Sequence, residues 1–110
     1  MNLLHGSRFS IKTNGVTMTP GAYNEIVDKF PTEWQFQAYM QGILTRHVSG
    51  DWGDVCKQDA KANDDAVKSG ARILSAYKVE GVKLWVISDA AWTDDPKLRE
   101  VTTILRPSDY

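Results

Sequence analysis

The chain has a single cysteine, Cys56, and no basic, apolar leader in residues 1–7. One cysteine cannot form a disulfide within the chain, which is typical of a protein in a reducing compartment. The longest uncharged apolar runs, such as residues 84–87, are much shorter than the roughly 18 residues that span a bilayer. We therefore expect a cytoplasmic protein without a membrane partner.

A strong net charge is also lacking, because 13 Lys and Arg residues face 14 Asp and Glu residues, a formal charge of −1. Proteins whose main partner is nucleic acid usually present a basic stripe that contacts several phosphates. Between Asp51 and Ser69, five acidic residues outnumber three lysines. We therefore expect no direct nucleic-acid partner. The acidic segment is either a solvated helix face or a surface for a basic protein groove.

The 110 residues are the usual length of one domain, with 42% hydrophobic and 25% charged residues as in ordinary globular proteins. Residues 1–110 are therefore predicted to form a single domain with one core. Apolar residues with alternating or helical spacing are predicted to build this core together with several aromatic residues: Phe9, Ile11, Ile43, Leu44, Leu74, Leu84, Val86 and Ile104.

Start and stop signals predict three helices. Thr19-Pro20 and Pro31-Thr32-Glu33 are typical N-terminal signals, and the two helices are predicted to end near Phe30 and His47. A third helix is predicted to begin around residue 51 or 54. It should end at Ser69-Gly70, since glycine suits a left-handed C-cap.

Alternating apolar residues predict strands on both sides of these helices, near residues 8–12, 16–18, 73–79, 82–87 and 101–105. Asn14-Gly15 is typical of a hairpin turn, and Glu80-Gly81 separates a second hairpin. Residues 89–100 read as a loop with a helical turn from Asp95. Strands, then helices, then strands indicate an α+β domain. We expect an antiparallel sheet of about 4–5 strands with about three helices packed on one face.

Chemically capable side chains are concentrated between Arg46 and Cys56. Imidazole, carboxylate and thiolate are all Zn²⁺ ligands, and the histidine and two aspartates are spaced i, i+4 and i+7. The candidate metal ligands are His47, Asp51, Asp54 and Cys56, with zinc as the candidate cofactor.

The same residues also have structural interpretations. Asp51 or Asp54 can cap a helix N-terminus, and His47 suits a helix C-terminus. Cys56 can be a small buried hydrophobe, and Trp52 can be a core aromatic. The sequence leaves both interpretations open.

Signals for catalysis are weak. A nucleophilic Cys56 would need His47 or His5 as its base, and no family signature joins them. The adjacent pairs Asp64-Asp65 and Asp94-Asp95 point in different directions on any regular element. We therefore predict that the protein is not an enzyme. The alternative is a metal- or thiol-dependent enzyme that uses the four candidate metal ligands.

Several segments together resemble one small protein family: residues 19–22, 46–54, Asn63, 72–77, 83–87 and 102–110. The family consists of bacterial plasmid and prophage proteins, commonly labelled plasmid-related proteins or subunits of type I restriction enzymes. The sequence departs from it between Ser88 and Glu100, where relatives have an acidic residue followed shortly by Asp-Arg-Ser. The resemblance implies residence on a mobile genetic element.

Small proteins of that setting often block host defence. The implied function is therefore binding and inhibition of a host defence protein such as a CRISPR effector or a restriction enzyme, an anti-CRISPR or anti-restriction action. Carboxylates on the surface of an inhibitor can bind the basic channel through which such enzymes bind DNA, because the charges are complementary. The predicted partner-binding residues are Trp52, Asp59, Asp64 and Asp65.

Overall fold

The computed structural model describes residues 2–110, which contain three α-helices and seven short strands in two sheets. The helices are α1 (Pro20–Ile26), α2 (Glu33–Val48) and α3 (Lys57–Ser69). The strands are β1 (Leu3–His5), β2 (Ser10–Lys12), β3 (Val16–Met18), β4 (Ile73–Val79), β5 (Val82–Ser88), β6 (Leu98–Arg99) and β7 (Thr102–Leu105). The predicted α+β class is confirmed. Within residues 2–110, no helix combines the length and the apolar character needed to cross a bilayer.

The larger sheet has the strand order β3-β7-β5-β4, in which β3 pairs with β7 in parallel and the other neighbours are antiparallel. The smaller sheet has the order β1-β2-β6, with β2 and β6 parallel. The strands thus divide between two mixed sheets, where the sequence indicated one antiparallel sheet.

The hairpin predicted at Asn14-Gly15 is wrong, because β2 and β3 belong to different sheets. A two-residue hairpin turn of this sequence needs positive φ at both residues, and neither residue has it. Instead, residues 13–15 form a 3₁₀ turn. Gly15 lies against the backbone of Glu100, so closely that an added Cβ would collide with its carbonyl oxygen. At this contact the chain leaves the smaller sheet, after β2, and enters the larger sheet at β3.

The second hairpin is confirmed, since β4 and β5 pair along their whole length from Ile73 opposite Ser88 to Val79 opposite Val82. The turn residues Glu80 and Gly81 have φ values of 49° and 83°. Positive φ at both positions matches the right-handed twist of the strands that the turn joins.

Helix boundaries follow local capping. Thr19 and Thr32 accept backbone N–H bonds at the starts of α1 and α2, as predicted. Gly70 ends α3 with φ 88°, also as predicted. The start of α3 is corrected, because Cys56 rather than an aspartate is the N-cap, and its Sγ accepts from Asp59 N at 3.4 Å.

One buried cluster joins all three helices to the larger sheet. Seven of the eight apolar residues predicted to form the core belong to it: Phe9, Ile11, Ile43, Leu44, Leu84, Val86 and Ile104. Leu74 is the exception, because it alternates with the buried Ile73 and Ser75 and so lies half-buried on the opposite face of the sheet.

Candidate functional site

The segment between α2 and α3, residues 49–56, runs beside the edge of β4. Trp52 O accepts a hydrogen bond from Ala76 N at 3.0 Å, and Asp54 N donates to Ala76 O at 2.7 Å. Gly53 sits between them with φ 73°, and an added Cβ would collide with the Ala76 carbonyl oxygen. This segment covers part of a strand edge that could otherwise pair with another chain.

Asn63 of α3 covers the next position of the same edge. Its Nδ2 donates to Leu74 O at 2.7 Å, and its Oδ1 accepts from Leu74 N at 3.1 Å. The buried side chain thus makes both hydrogen bonds that a neighbouring strand would make. Asn63, which the family resemblance drew attention to, therefore has a structural role here.

His47 lies entirely within the core. Its Nδ1 is 2.6 Å from Ser75 Oγ and its Nε2 is 3.0 Å from Ser88 Oγ, which in turn bonds Thr102 Oγ1 at 2.8 Å. Burial, with a smaller contribution from the charge of Arg99, lowers the pKa of His47 to about 3. The imidazole is therefore neutral at pH 7, and both of its nitrogens have hydroxyl partners.

Arg99 is a second fully buried polar residue, and no sequence signal indicated it. Its guanidinium lies near α3 and donates only to backbone carbonyl oxygens, those of Ala66, Ala71, Asp89 and Pro96, at 2.6–3.2 Å. Within residues 2–110 it forms no ion pair with a carboxylate. Burial lowers the pKa of Arg99. This side chain ties the end of α3 to the 89–97 loop.

The other three candidate metal ligands are exposed. Asp51 Oδ2 accepts from Arg46 Nε at 2.6 Å, which holds the pKa of Asp51 below its usual value. Cys56 is occupied as the α3 cap. Among residues 2–110, no three His, Cys, Asp or Glu side chains are grouped as a metal site. The structure does not bring His47 together with Asp51, Asp54 and Cys56.

Trp52 is only 7% exposed, which favours the core-aromatic interpretation of its ring; its predicted contact with a partner stays a prediction. The ring packs near Phe9 and His47, and its Nε1 donates to Asp64 Oδ1 at 3.1 Å. This bond allows the polar edge of the indole to be buried.

The three predicted acidic contacts on α3 are exposed, but two of them have cationic partners. Asp64 Oδ1 lies 3.1 Å from Arg8 Nη2, and Asp65 Oδ2 lies 3.6 Å from Lys61 Nζ. The hydrogen bond from the Trp52 indole, followed by that from Arg8, lowers the pKa of Asp64. Asp59 forms no ion pair within residues 2–110. Two of the three predicted acidic contacts are thus paired within the described part of the protein, and Asp59 is not.

Two segments of the family resemblance, residues 19–22 and 102–110, meet in space. Thr19 Oγ1 donates to Asp109 Oδ2 at 2.7 Å, and Arg106 bonds both Asp109 and Glu25. These hydrogen bonds hold the pKa of Asp109 well below its usual range. Through these bonds, Arg106 and Asp109 hold the C-terminal turn against α1.

An exposed aromatic surface lies on α2, on the side away from the core. Trp34 is 76% exposed and Tyr39 42% exposed. With Phe30, Pro31 and Ala38 they line a cavity of about 520 Å³. A second cavity of about 270 Å³ shares two of these residues and continues along the helix: Ala38, Tyr39, Gly42, Ile43 and Arg46. We call the two cavities together the α2 groove.

Gly42 lines the second cavity of the α2 groove. An added Cβ there would meet no atom within 4 Å, so internal packing does not require a glycine. A glycine inside a helix costs about 1 kcal/mol relative to alanine. The absence of a side chain at Gly42 therefore leaves open space on the surface of α2. Helical spacing of Trp34, Ala38 and Gly42 away from the apolar face was the sequence signal for this groove, and it was missed.

No protein-family model matches the chain, and no curated protein or solved structure is significantly similar to it. The resemblance to plasmid and prophage proteins, and what it implies about host defence, therefore stay predictions.

Proposed function

We propose that the protein acts by binding another protein, without catalysis. In this proposal it is a cytoplasmic accessory protein of a mobile genetic element that inhibits or modulates a host defence protein, a CRISPR effector or a restriction enzyme. The supporting observation is the α2 groove with its exposed aromatic side chains.

The groove has the composition of a protein-binding site. Trp, Tyr and Arg are the residue types that most often dominate the binding energy of interfaces. Here Trp34 and Tyr39 supply large rings, and Arg46 supplies a guanidinium that is half exposed. A fully buried aromatic side chain removes roughly 150–250 Å² of surface from water, at about 25 cal/mol per Å². Most of the Trp34 side chain is exposed, so most of its surface is still available for burial by a partner.

The ends of the groove are charged. Lys29 and Glu80 line the cavity around Trp34, and the ion pair of Arg46 with Asp51 lies at the other end. An apolar centre with polar ends is the usual arrangement of a protein interface, in which the rim fixes orientation. The α2 groove therefore supports partner binding better than the acidic face of α3, where Asp64 and Asp65 are already paired.

The test begins with a lysate of a host that carries the defence system. The immobilised protein is compared with the double variant Trp34→Ala/Tyr39→Ala, and bound proteins are quantified by mass spectrometry. Tyr110→Ala is the matched control, because Tyr110 is an exposed aromatic residue (67%) that lies outside the α2 groove. We expect a defence nuclease to be enriched by the wild type and by Tyr110→Ala, and lost with the double variant.

The captured nuclease is then purified, and its DNA cleavage is titrated with each variant. Inhibition by the wild type and by Tyr110→Ala, but not by the double variant, would support the proposal. Equal inhibition by all three, or direct salt-sensitive DNA binding by the wild type, would contradict it. Charge reversal at Asp59 tests the acidic face separately, because Asp59 forms no side-chain ion pair that would also be lost.

A further inference from the structure

A carboxylate and an exposed indole lie side by side in the loop between β5 and β7. Glu100 is only 7% exposed, and its Oε1 accepts from the backbone N–H of Trp92 at 3.3 Å. The Trp92 side chain itself is 70% exposed. This is the stretch in which the sequence departs from the family that it resembles.

The second oxygen of Glu100, Oε2, accepts no hydrogen bond from residues 2–110. No fully buried side-chain oxygen of the described residues lacks a partner, so Oε2 must reach the surface. Glu100 and Trp92 line a cavity of about 290 Å³ together with Lys12, Asn14 and Gly15. Glu100, with one carboxylate oxygen free, and the exposed Trp92 are thus both wall residues of one cavity.

Neighbouring cations do not neutralise this carboxylate by direct contact. The Arg99 guanidinium donates to backbone carbonyl oxygens and forms no ion pair with Glu100. Lys12 lines the same cavity, but none of the salt bridges within residues 2–110 joins it to Glu100. The oxygen therefore retains its capacity to accept a charge-assisted hydrogen bond.

The protein contains the same pair of groups elsewhere, with a guanidinium in place. Arg8 Cζ lies 5.8 Å from the centre of the Trp52 ring, and Arg8 Nη2 lies 3.1 Å from Asp64 Oδ1. Trp52 in turn donates to Asp64. A planar guanidinium can stack on an indole and donate to a carboxylate at once, which an ammonium cannot do equally well.

We propose that the Trp92–Glu100 cavity binds a guanidinium group from outside the protein, stacked on the Trp92 ring and donating to Glu100 Oε2. The site is preorganised, because the Trp92 N–H fixes the carboxylate and Gly15 packs directly against the Glu100 backbone. Little ordering is then needed when the ligand binds. This inference is independent of the α2 groove and of the proposed function.

The guanidinium can come from free arginine or from an arginine side chain of a protein. Lys12 lies in the same cavity, and its charge would favour the carboxylate of free arginine. Free arginine should therefore bind more tightly than N-acetyl-arginine amide if the ligand is the amino acid. The opposite order assigns the site to an arginine within a polypeptide. Either order supports the guanidinium site.

Methylguanidinium is the first probe, titrated into the full chain while NMR follows the backbone and indole N–H groups of Trp92. N-methylurea, which has a similar shape without the charge, is the control ligand. We expect saturable shifts with methylguanidinium only. Binding should weaken at least about tenfold in Glu100→Gln, since the amide oxygen carries no negative charge to strengthen the hydrogen bond with the guanidinium.

Trp92→Ala is the second variant, and its exposed side chain is not needed for folding. It should also weaken binding, whereas Trp34→Ala should not change it. Equal shifts with methylguanidinium and N-methylurea would overturn the proposal. So would unchanged affinity in a folded Glu100→Gln variant or in Trp92→Ala.

Discussion

His47 and Ser75 form a short polar contact in the core, with 2.6 Å between Nδ1 and Oγ. The Ser88 hydroxyl bonds the other ring nitrogen, so the neutral imidazole can donate to one serine and accept from the other. A histidine and two serines thus meet without access to solvent. Their arrangement stabilises the core and cannot reach a substrate.

This arrangement makes the free energy of unfolding dependent on pH. The pKa of His47 is lowered from 6.5 to about 3 in the folded protein, so the unfolded state binds more protons between these values. The contribution of His47 is complete above pH 6.5. It should fall by about 1.4 kcal/mol for each pH unit from there towards pH 3.

Urea unfolding at pH 7.5, 5.5 and 4.5 measures this slope. The variant His47→Gln, which has no titrating group, should show a smaller pH dependence. His5→Gln is the control, because it removes the exposed histidine and leaves His47 in place. An equal slope in wild type and His47→Gln would contradict the assignment.

Truncation of the core should destabilise strongly. Leu84 and Ile104 are almost fully buried on adjacent strands of the larger sheet. Replacing either with alanine should cost about 2–5 kcal/mol, because apolar contacts are lost and a cavity remains. Leu74→Ala should cost less, since that side chain is half-buried outside the main cluster. Chemical unfolding followed by circular dichroism compares the three.

Gly42→Ala should increase the free energy of unfolding by about 1 kcal/mol, because the added Cβ meets no atom and alanine favours helix. Gly53→Ala is the opposite case, and there φ is 73° and the Cβ would collide with the Ala76 backbone. It should destabilise. If Gly42→Ala were destabilising, α2 would have to pack against something at that position in the free protein.

Zinc binding is tested by elemental analysis of protein purified without an affinity tag. For His47 to bind zinc, it would have to leave the core and give up its bond to Ser75 or Ser88. We therefore expect no stoichiometric zinc and an unchanged melting temperature after chelation. Near one equivalent of zinc, lost in His47→Ala, would instead support the metal hypothesis for His47, Asp51, Asp54 and Cys56.

Features set by neighbours in the sequence could be predicted. The caps at Thr19, Thr32 and Gly70 depend on residues within one helical turn, and the β4–β5 turn needs only its own two residues. The separation of β2 from β3 could not be predicted in this way. It depends on Gly15 packing against Glu100, which lies 85 positions away along the chain.

The same distinction holds for the candidate site. His47, Asp51 and Trp52 were recognised as residues with chemical capacity, but their partners decide what they do. Ser75 and Ser88 bond His47, and Asp64 bonds Trp52, and these three residues lie outside residues 46–56. Asp51 instead pairs with Arg46 within that segment. Trp34 could have been recognised, because an aromatic residue off the apolar face of a helix needs another explanation.

The position of β7 has a consequence for biosynthesis. This strand, residues 102–105, lies between β3 and β5, so the larger sheet cannot be completed until residues 102–105 have been made. During translation, β3 has no strand to pair with until the more than eighty residues between β3 and β7 have been made. Such pairing of distant segments slows folding. A ribosome-bound chain that stops before residue 102 should expose α2 and β5, and chaperones should bind it until residues 102–105 are added.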